Sequence, residues 1–248
     1  MPFLALDAGN SSVKAAVWDG RAWSDVARWP TDAAGAGTWR ERLAALPAAD
    51  RAGLASVVPR LTGALGEAAR GATGAEAVRV SAALPLPFRM GYRTPGTLGA
   101  DRLAAAAAAH ALAGGRAAVA LDAGTAVTLD VVTAARPGPP VYLGGAILPG
   151  PDLLQRSLAR GTGQLPDVPW ALPPSPVGGT TAEAIQAGLA GLLVDGLAGL
   201  LRRTVEAAGG DALVVATGGW APWLAGHLPV DRVVPTLVLD GVRQLCDG

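Results

Sequence analysis

One cysteine, one lysine and two histidines are spread over 248 residues, and the formal charges sum to zero. Each scarcity excludes something. A lone thiol, Cys246, cannot build a disulfide framework, so the chain suits a reducing compartment, and a nucleophile so near the terminus is not expected. His110 and His227 stand far from Cys, Asp or Glu at ligand spacing, which leaves no zinc motif. Balanced charge gives no electrostatic pull toward nucleic acid or an acidic membrane surface. The N-terminus enters an apolar segment with neither a basic stretch nor a small-residue cleavage site, so no signal peptide is expected. The most apolar run, Ile185 to Leu201, carries Asp195 and is short for a membrane span; a buried or interface helix is expected there. A cytoplasmic protein of one large or two modest domains is the expectation. The seven tryptophans scatter without a stacking pattern and are assigned to core or interface.

What is present begins at residues 3–18, F-L-A-L-D-A-G-N-S-S-V-K-A-A-V-W. The pattern is a strand (Phe3 to Leu6), a polar turn (Asp7 to Ser12) and a second strand (Val13 to Trp18), with Asp19-Gly20 turning into a third run, Arg21 to Ala27. Gly9 lets backbone approach a ligand, Asn10, Ser11 and Ser12 add donors, and Asp7 sets a carboxylate where a metal-bound phosphate could be met. An ordinary glycine hairpin is the alternative on this stretch alone. Lys14 is the only lysine in a chain whose other basic residues are arginine, which favours a use for its compact charge over a solvated strand lysine.

Residues 119–132, V-A-L-D-A-G-T-A-V-T-L-D-V-V, repeat the same strand, D-A-G turn and strand. Asp122, Gly124 and Thr125 take the places of Asp7, Gly9 and Asn10, a domain's length further on. Two such loops, one from each half, can grip a nucleotide's phosphates across a cleft.

Between and after them, helices are expected at 38–46, 60–70 and 97–113, the last ended by Gly114-Gly115, and short strands at 54–58 and 77–80. Strands alternating with helices after a meander argue for mixed sheets flanked by helices. Residues 85–95 read as a loop. Gly99-Ala100-Asp101-Arg102 opens a helix, where Asp101 could accept a hydroxyl proton and Arg102 hold an anion, or where the pair is a cap with a surface arginine. Gly144-Gly145 and Pro149-Gly150 bring backbone close to a neighbour before a helix from Pro151 to Ala159. Residues 161–179 form a proline-rich loop long enough for a lid, a binding loop or an interface. Thr181 caps or contacts ligand at the start of a small-residue helix, Ala182 to Leu193, on which a dimer partner could pack. Strand 213–216 runs into Thr217-Gly218-Gly219, which can let an adenosine lie against backbone.

Taken in order, D-A-G-N-S-S-V-K at 7–14, G-A-D-R at 99–102, D-A-G-T at 122–125, G-G-A-I-L-P-G at 144–150, G-G-T-T at 178–181 and T-G-G at 217–219 resemble type III pantothenate kinases. These belong to the superfamily of acetate kinases, sugar kinases and actin. The resemblance implies an α/β fold of two ribonuclease H-like (actin-like) domains, residues 1–114 and 115–248, each a mixed sheet flanked by helices, with a nucleotide cleft between. It implies ATP-dependent phosphorylation of pantothenate to 4'-phosphopantothenate, the opening step of coenzyme A synthesis, by a homodimer using Mg²⁺ and a monovalent cation, K⁺ or NH₄⁺. Carried over by position, Asp7, Ala8, Gly9, Asn10, Ser11, Ser12, Val13 and Lys14 form the first ATP-phosphate motif, with Asp7 toward the Mg²⁺. Asp101 matches the catalytic base, and Tyr92, Gly99, Ala100 and Arg102 match the pantothenate site. Asp122 matches the monovalent-cation ligand, Thr125 an ATP contact, Gly218 and Gly219 the adenosine motif, and Thr181 a substrate threonine near the dimer interface, with Thr180 adjacent. Ser11 stands where many members have Thr, keeping the hydroxyl. Residues 161–179 have no counterpart in these motifs. Another small-molecule kinase of the superfamily, or a catalytically inactive regulatory relative, would share the D-A-G loops.

Overall fold

The computed structural model describes residues 1–32, 36–135 and 138–247, with backbone alone at 36 and 37. Two mixed sheets carry the same connectivity. The first uses β1 (Phe3–Ala8), β2 (Ser12–Trp18), β3 (Ala27–Pro30), β4 (Arg51–Ser56) and β5 (Val78–Arg79) in the order β3-β2-β1-β4-β5. Its first three strands form an antiparallel meander, and β4 and β5 add in parallel. The second repeats this with β7 (Ala117–Ala123), β8 (Ala126–Val132), β9 (Val141–Pro149), β10 (Ala212–Thr217) and β11 (Arg232–Val233), and gains β6 (Arg89–Met90) beyond β9. The central strands β1 and β7 are covered on both faces, which is why F-L-A-L and A-A-V-A-L read as continuous apolar runs rather than alternating ones.

The helices are α1 (Ala36–Ala44), α2 (Pro59–Thr73), α3 (Ala100–Ala113), α4 (Pro151–Gly161), α5 (Thr181–Ala207), α6 (Ala221–Ala225) and α7 (Leu237–Cys246). In α2, Leu61, Leu65, Ala68 and Ala69 form one buried stripe, Pro59 opens the helix and Gly74 closes it with a left-handed backbone. Helix α3 is different. Ala104 to Ala109 are all buried, because the helix is enclosed, packing on α7 and on strands of both sheets. Only a methyl-sized side chain all round lets one helix sit that close to several neighbours. The same cluster takes in α7, which returns from the end of the chain to pack on β1 and β4.

Several boundaries differ from the sequence expectation. The third strand lies at Ala27–Pro30, beyond Arg21 to Ala27, because Asp19 Oδ1 accepts from the backbone N–H of Arg21 and Ala22 and holds a wider turn. Residues 85–95 are not all loop; β6 within them pairs with β9. The helix expected from residue 97 begins at Ala100, since Pro95–Thr97 is a separate 3₁₀ turn. Helix α5 runs on to Ala207 through glycines at 188, 191, 196 and 199. It is long and apolar enough to cross a membrane by length and composition, and 33% of its most apolar window is buried. Its cap is Thr180, whose side chain accepts from Glu183 N–H at 3.2 Å while Glu183 accepts from Gly179 N–H at 2.8 Å, so Thr181 is the first helical residue and not the cap.

Candidate active site

The two D-A-G stretches form two hairpins whose tips meet. In the first, Asp7 pairs with Lys14 across β1 and β2, and Lys14 Nζ lies 3.3 Å from Asp7 Oδ2. The turn is closed by Gly9 N–H donating to the Ser12 carbonyl at 3.0 Å, and Thr31 Oγ1 donates to the Gly9 carbonyl at 2.6 Å from behind. In the second hairpin, Asp122 pairs with Thr128, and Gly124 N–H donates to the Ala126 carbonyl at 2.9 Å. Ser11 Oγ and Thr125 Oγ1 are 2.6 Å apart, joining one tip to the other.

Both loops line one cleft of about 360 Å³, as do Asp101 at the start of α3 and Gly218 and Gly219 after β10. Two glycines shape this region, Gly218 in the cleft and Gly99 beside it. Gly218 has φ +94°, and a Cβ would lie 2.6 Å from Asp122 Oδ1. At Gly99 a Cβ would lie 2.5 Å from Asp101 Oδ1, so the small residue lets that carboxylate fold back and accept from Arg102 N–H at 2.7 Å.

The cleft sets three buried carboxyls, Asp7, Asp101 and Asp122, around Lys14. Burial raises the pKa of Asp7, Asp101 and Asp122 above the ordinary carboxylate value, Asp122 to about 7, and Lys14 pulls all three back down. A compact ammonium on β2 is the side chain that can approach all three.

Of the residues singled out from sequence, Asp7, Gly9, Asn10, Ser11, Ser12, Lys14, Asp101, Asp122, Thr125, Gly218 and Gly219 line this cleft. Ala8 and Val13 are fully buried in β1 and β2 and back its wall. Gly99 and Ala100 line a neighbouring groove of about 980 Å³, which shares Val57 with the cleft. Arg102 is neither a surface residue nor a cleft residue. Its guanidinium is buried against Asp130, with Nη2 at 2.8 Å and Nε at 3.0 Å from Oδ1, and Tyr142 O–H donates to the same oxygen at 2.6 Å. Tyr92 packs edge-on to Tyr142, ring centres 6.1 Å apart. Thr181 is exposed at the head of α5 and does not line the cleft.

Residues the sequence reading passed over complete the lining. Arg28 stands opposite Lys14 in the β2–β3 ladder, a pairing hidden while the third strand was placed too early. Asp152, in the first turn of α4, and Trp220, directly after the glycine pair, also face the cleft. The tryptophans do not scatter. Trp170, Trp220 and Trp223 pack mutually edge-on with centroids 5.7–6.0 Å apart, and Trp18–Trp23 and Trp29–Trp39 form two further edge-on pairs.

A duplicated sheet presenting a carboxylate-bearing hairpin from each copy to one cleft defines the actin-like and sugar-kinase class. Solved structures agree on the fold. Over 98% of this chain and 97% of theirs, a conserved candidate Baf family transcriptional activator from Campylobacter jejuni superposes with TM-score 0.64 at 19% identity. A glucokinase from an Antarctic psychrotroph gives 0.54 at 13%, covering 100% of this chain and 99% of its own. The sequence is more particular. The chain belongs to the type III pantothenate kinase family, whose model matches residues 3–207. The type III pantothenate kinases of Chlorobium luteolum and Acidiphilium cryptum are 35% and 34% identical to it, each alignment covering 98% of this chain and 93% of the relative.

Proposed function

We propose that this chain transfers the terminal phosphoryl group of ATP to the primary hydroxyl of pantothenate, yielding 4'-phosphopantothenate and ADP and opening coenzyme A synthesis. The observation that carries this is the pair of hairpins joined at Ser11 and Thr125 over a single cleft into which Asp101 also faces. Phosphoryl transfer asks the protein for alignment and charge compensation more than for covalent help. The turns at Gly9 and Gly124 allow main chain to approach phosphate oxygens, and Lys14 adds a positive charge. Asp101 orients the acceptor hydroxyl and takes its proton as the oxygen bonds to the terminal phosphorus and the bond to the ADP oxygen breaks.

The donor set suits hard cations. Asp7, Asp122 and the hydroxyls of Ser11 and Thr125 are oxygen ligands, and among the described residues no three acidic, His or Cys side chains form a dedicated metal cluster. This fits Mg²⁺ held by Asp7 together with the nucleotide's own phosphates, and K⁺ or NH₄⁺ at Asp122, whose pKa burial pushes up to about 7, so that a cation there competes with a proton for the carboxylate. Bound there, such cations offset the charge developing on the phosphate oxygens.

In the acceptor site we assign Tyr92, Gly99 and Ala100, with Arg102 supporting it from behind through its pair with Asp130 and Thr181 contributed at a homodimer interface built on the small-residue face of α5. Residues 1–114 and 115–248 act in outline as the two lobes, with β6 crossing to the second sheet and α7 returning to the first, and the enzyme works in the cytoplasm. The test is an ATP-dependent phosphorylation assay with pantothenate, run with and without K⁺ against a panel of sugar and acetate acceptors. Phosphate transfer to pantothenate that depends on K⁺ is expected; transfer only to another acceptor, or none, removes the assignment.

A further inference from the structure

The proline-rich segment 161–179 matches no motif, yet it is pinned to two helices just ahead of Trp170. Asp167 Oδ1 accepts from Gln155 Nε2 of α4 at 2.7 Å, and the Pro169 carbonyl accepts from Gln186 Nε2 of α5 at 2.9 Å. Val168 between them is buried, in a cluster with Ile185 and Leu189 that Trp170 joins. Trp170 also belongs to the core beneath the second sheet, where it meets Trp220 edge-on at 5.8 Å and Trp223 at 5.7 Å. The segment therefore ends, structurally, on the wall of the nucleotide cleft.

Trp220 is the part of that wall with a flat apolar surface, the one aromatic side chain lining the cleft among the described residues. It follows Gly218, whose backbone packs against Ala123 and Asp122, and Gly219, where a Cβ would meet nothing within 4 Å and backbone is left open beside the indole. Its Nε1 points to Asp152 Oδ2 at 3.4 Å, and α4, which carries Asp152, is tied to the second phosphate loop where Gly150 N–H donates to the Thr125 carbonyl at 2.9 Å. Indole, glycine pair and phosphate loop thus form one connected surface. The other cleft residues offer phosphates and cations their charges and hydroxyls; a purine needs a π-face.

We propose that Trp220 is the platform on which the purine base of the nucleotide rests, and that segment 161–179 braces this platform through Trp170. This rests on the phosphotransfer reading of the cleft. Trp220 contacts the nucleotide; Trp170 is a positioning residue acting through it.

The experiment compares the full-length enzyme with its Trp220→Ala, Trp220→Phe and Trp170→Ala variants, at saturating pantothenate. Trp220→Ala raises KM for ATP about tenfold, the order of one lost base–aromatic stack, and leaves kcat within about twofold. Trp220→Phe recovers most of that loss, and Trp170→Ala moves KM the same way by less. Inorganic tripolyphosphate, which has phosphates but no base, competes equally well in all four proteins. ATP quenches tryptophan emission in the parent and far less in Trp220→Phe, a readout that survives even if the alanine variant misfolds. An unchanged ATP KM in Trp220→Ala, or undiminished quenching in Trp220→Phe, overturns the platform. Equal weakening of ATP and tripolyphosphate overturns it too, since the side chain then shapes the cleft as a whole. Failure of the parent to bind either compound sinks the phosphotransfer reading itself.

Discussion

At the scale of single residues, the chemistry turns on Asp101. It lines the cleft, its carboxylate is steered by Gly99 and Arg102 N–H, and burial raises its pKa. A base must be ionised to accept a proton, so kcat/KM is expected to rise with pH through a value above the ordinary carboxylate range. Asp101→Asn should lower kcat by about a hundredfold or more while leaving ATP binding intact, and the residual rate should lose the Asp101 component of the acid limb. Near-normal turnover in that variant, or an unchanged pH profile, removes Asp101 from the role. Asp130 makes a contrasting case. Its side chain is fully buried beside Arg102, so Asp130→Ala strands a guanidinium without its counter-ion. A loss of about 3–5 kcal/mol in urea unfolding is expected, far more than for any of the exposed pairs such as Arg70–Glu76. A loss below about 1 kcal/mol would mean that the pair does not hold Arg102 in place.

At the scale of elements, α3 is the member both sheets share, and its alanines leave no slack. Ala106→Leu inserts three carbons where the side chain is 1% exposed, and overpacking of this kind costs about 1–3 kcal/mol. Thermal unfolding should fall by several degrees, whereas the same change at exposed Ala111 should be neutral. Equal effects at the two sites would show that α3 is not enclosed. The helix was legible from its composition, but not its burial on every side, because an alanine run carries no stripe to say which face is covered. The D-A-G hairpins were legible because each is local, with strand, turn and strand inside sixteen residues. What escaped was long-range. The two-residue strand β6 gains its identity only from β9, some fifty residues on. Arg28 enters the cleft only through the β2–β3 register, and Trp170, Trp220 and Trp223 converge only once β10 and the proline-rich segment are packed. The burial of Arg102 is invisible in sequence because its counter-ion, Asp130, lies inside an apolar strand and carries no motif of its own.

At the scale of the whole molecule, burial sets four carboxyls against the fold, three in the cleft and Asp130 behind it. Asp7, Asp101, Asp122 and Asp130 all have pKa values raised chiefly by burial, so the folded state binds protons more tightly than the unfolded chain. The sign follows directly. Below the unfolded carboxylate value both states are protonated and no penalty applies; as pH rises through that value and on toward the folded ones, stability falls. The top of the window is set by Asp122 at about 7. The ligand-free protein should therefore lose melting temperature steadily between pH 4.5 and about 7.5, and Asp122→Asn should flatten the upper half of that slope. Any bound cation that compensates these charges must compete with protons, so Mg²⁺ with ATP should raise the melting temperature more at pH 8 than at pH 5. A flat profile, or stability that climbs over this range, would mean that the carboxyls are solvated in the free protein. The same burial that costs stability keeps water from screening the one lysine and the two hairpins, and that is the condition under which a few fixed charges can steer phosphoryl transfer.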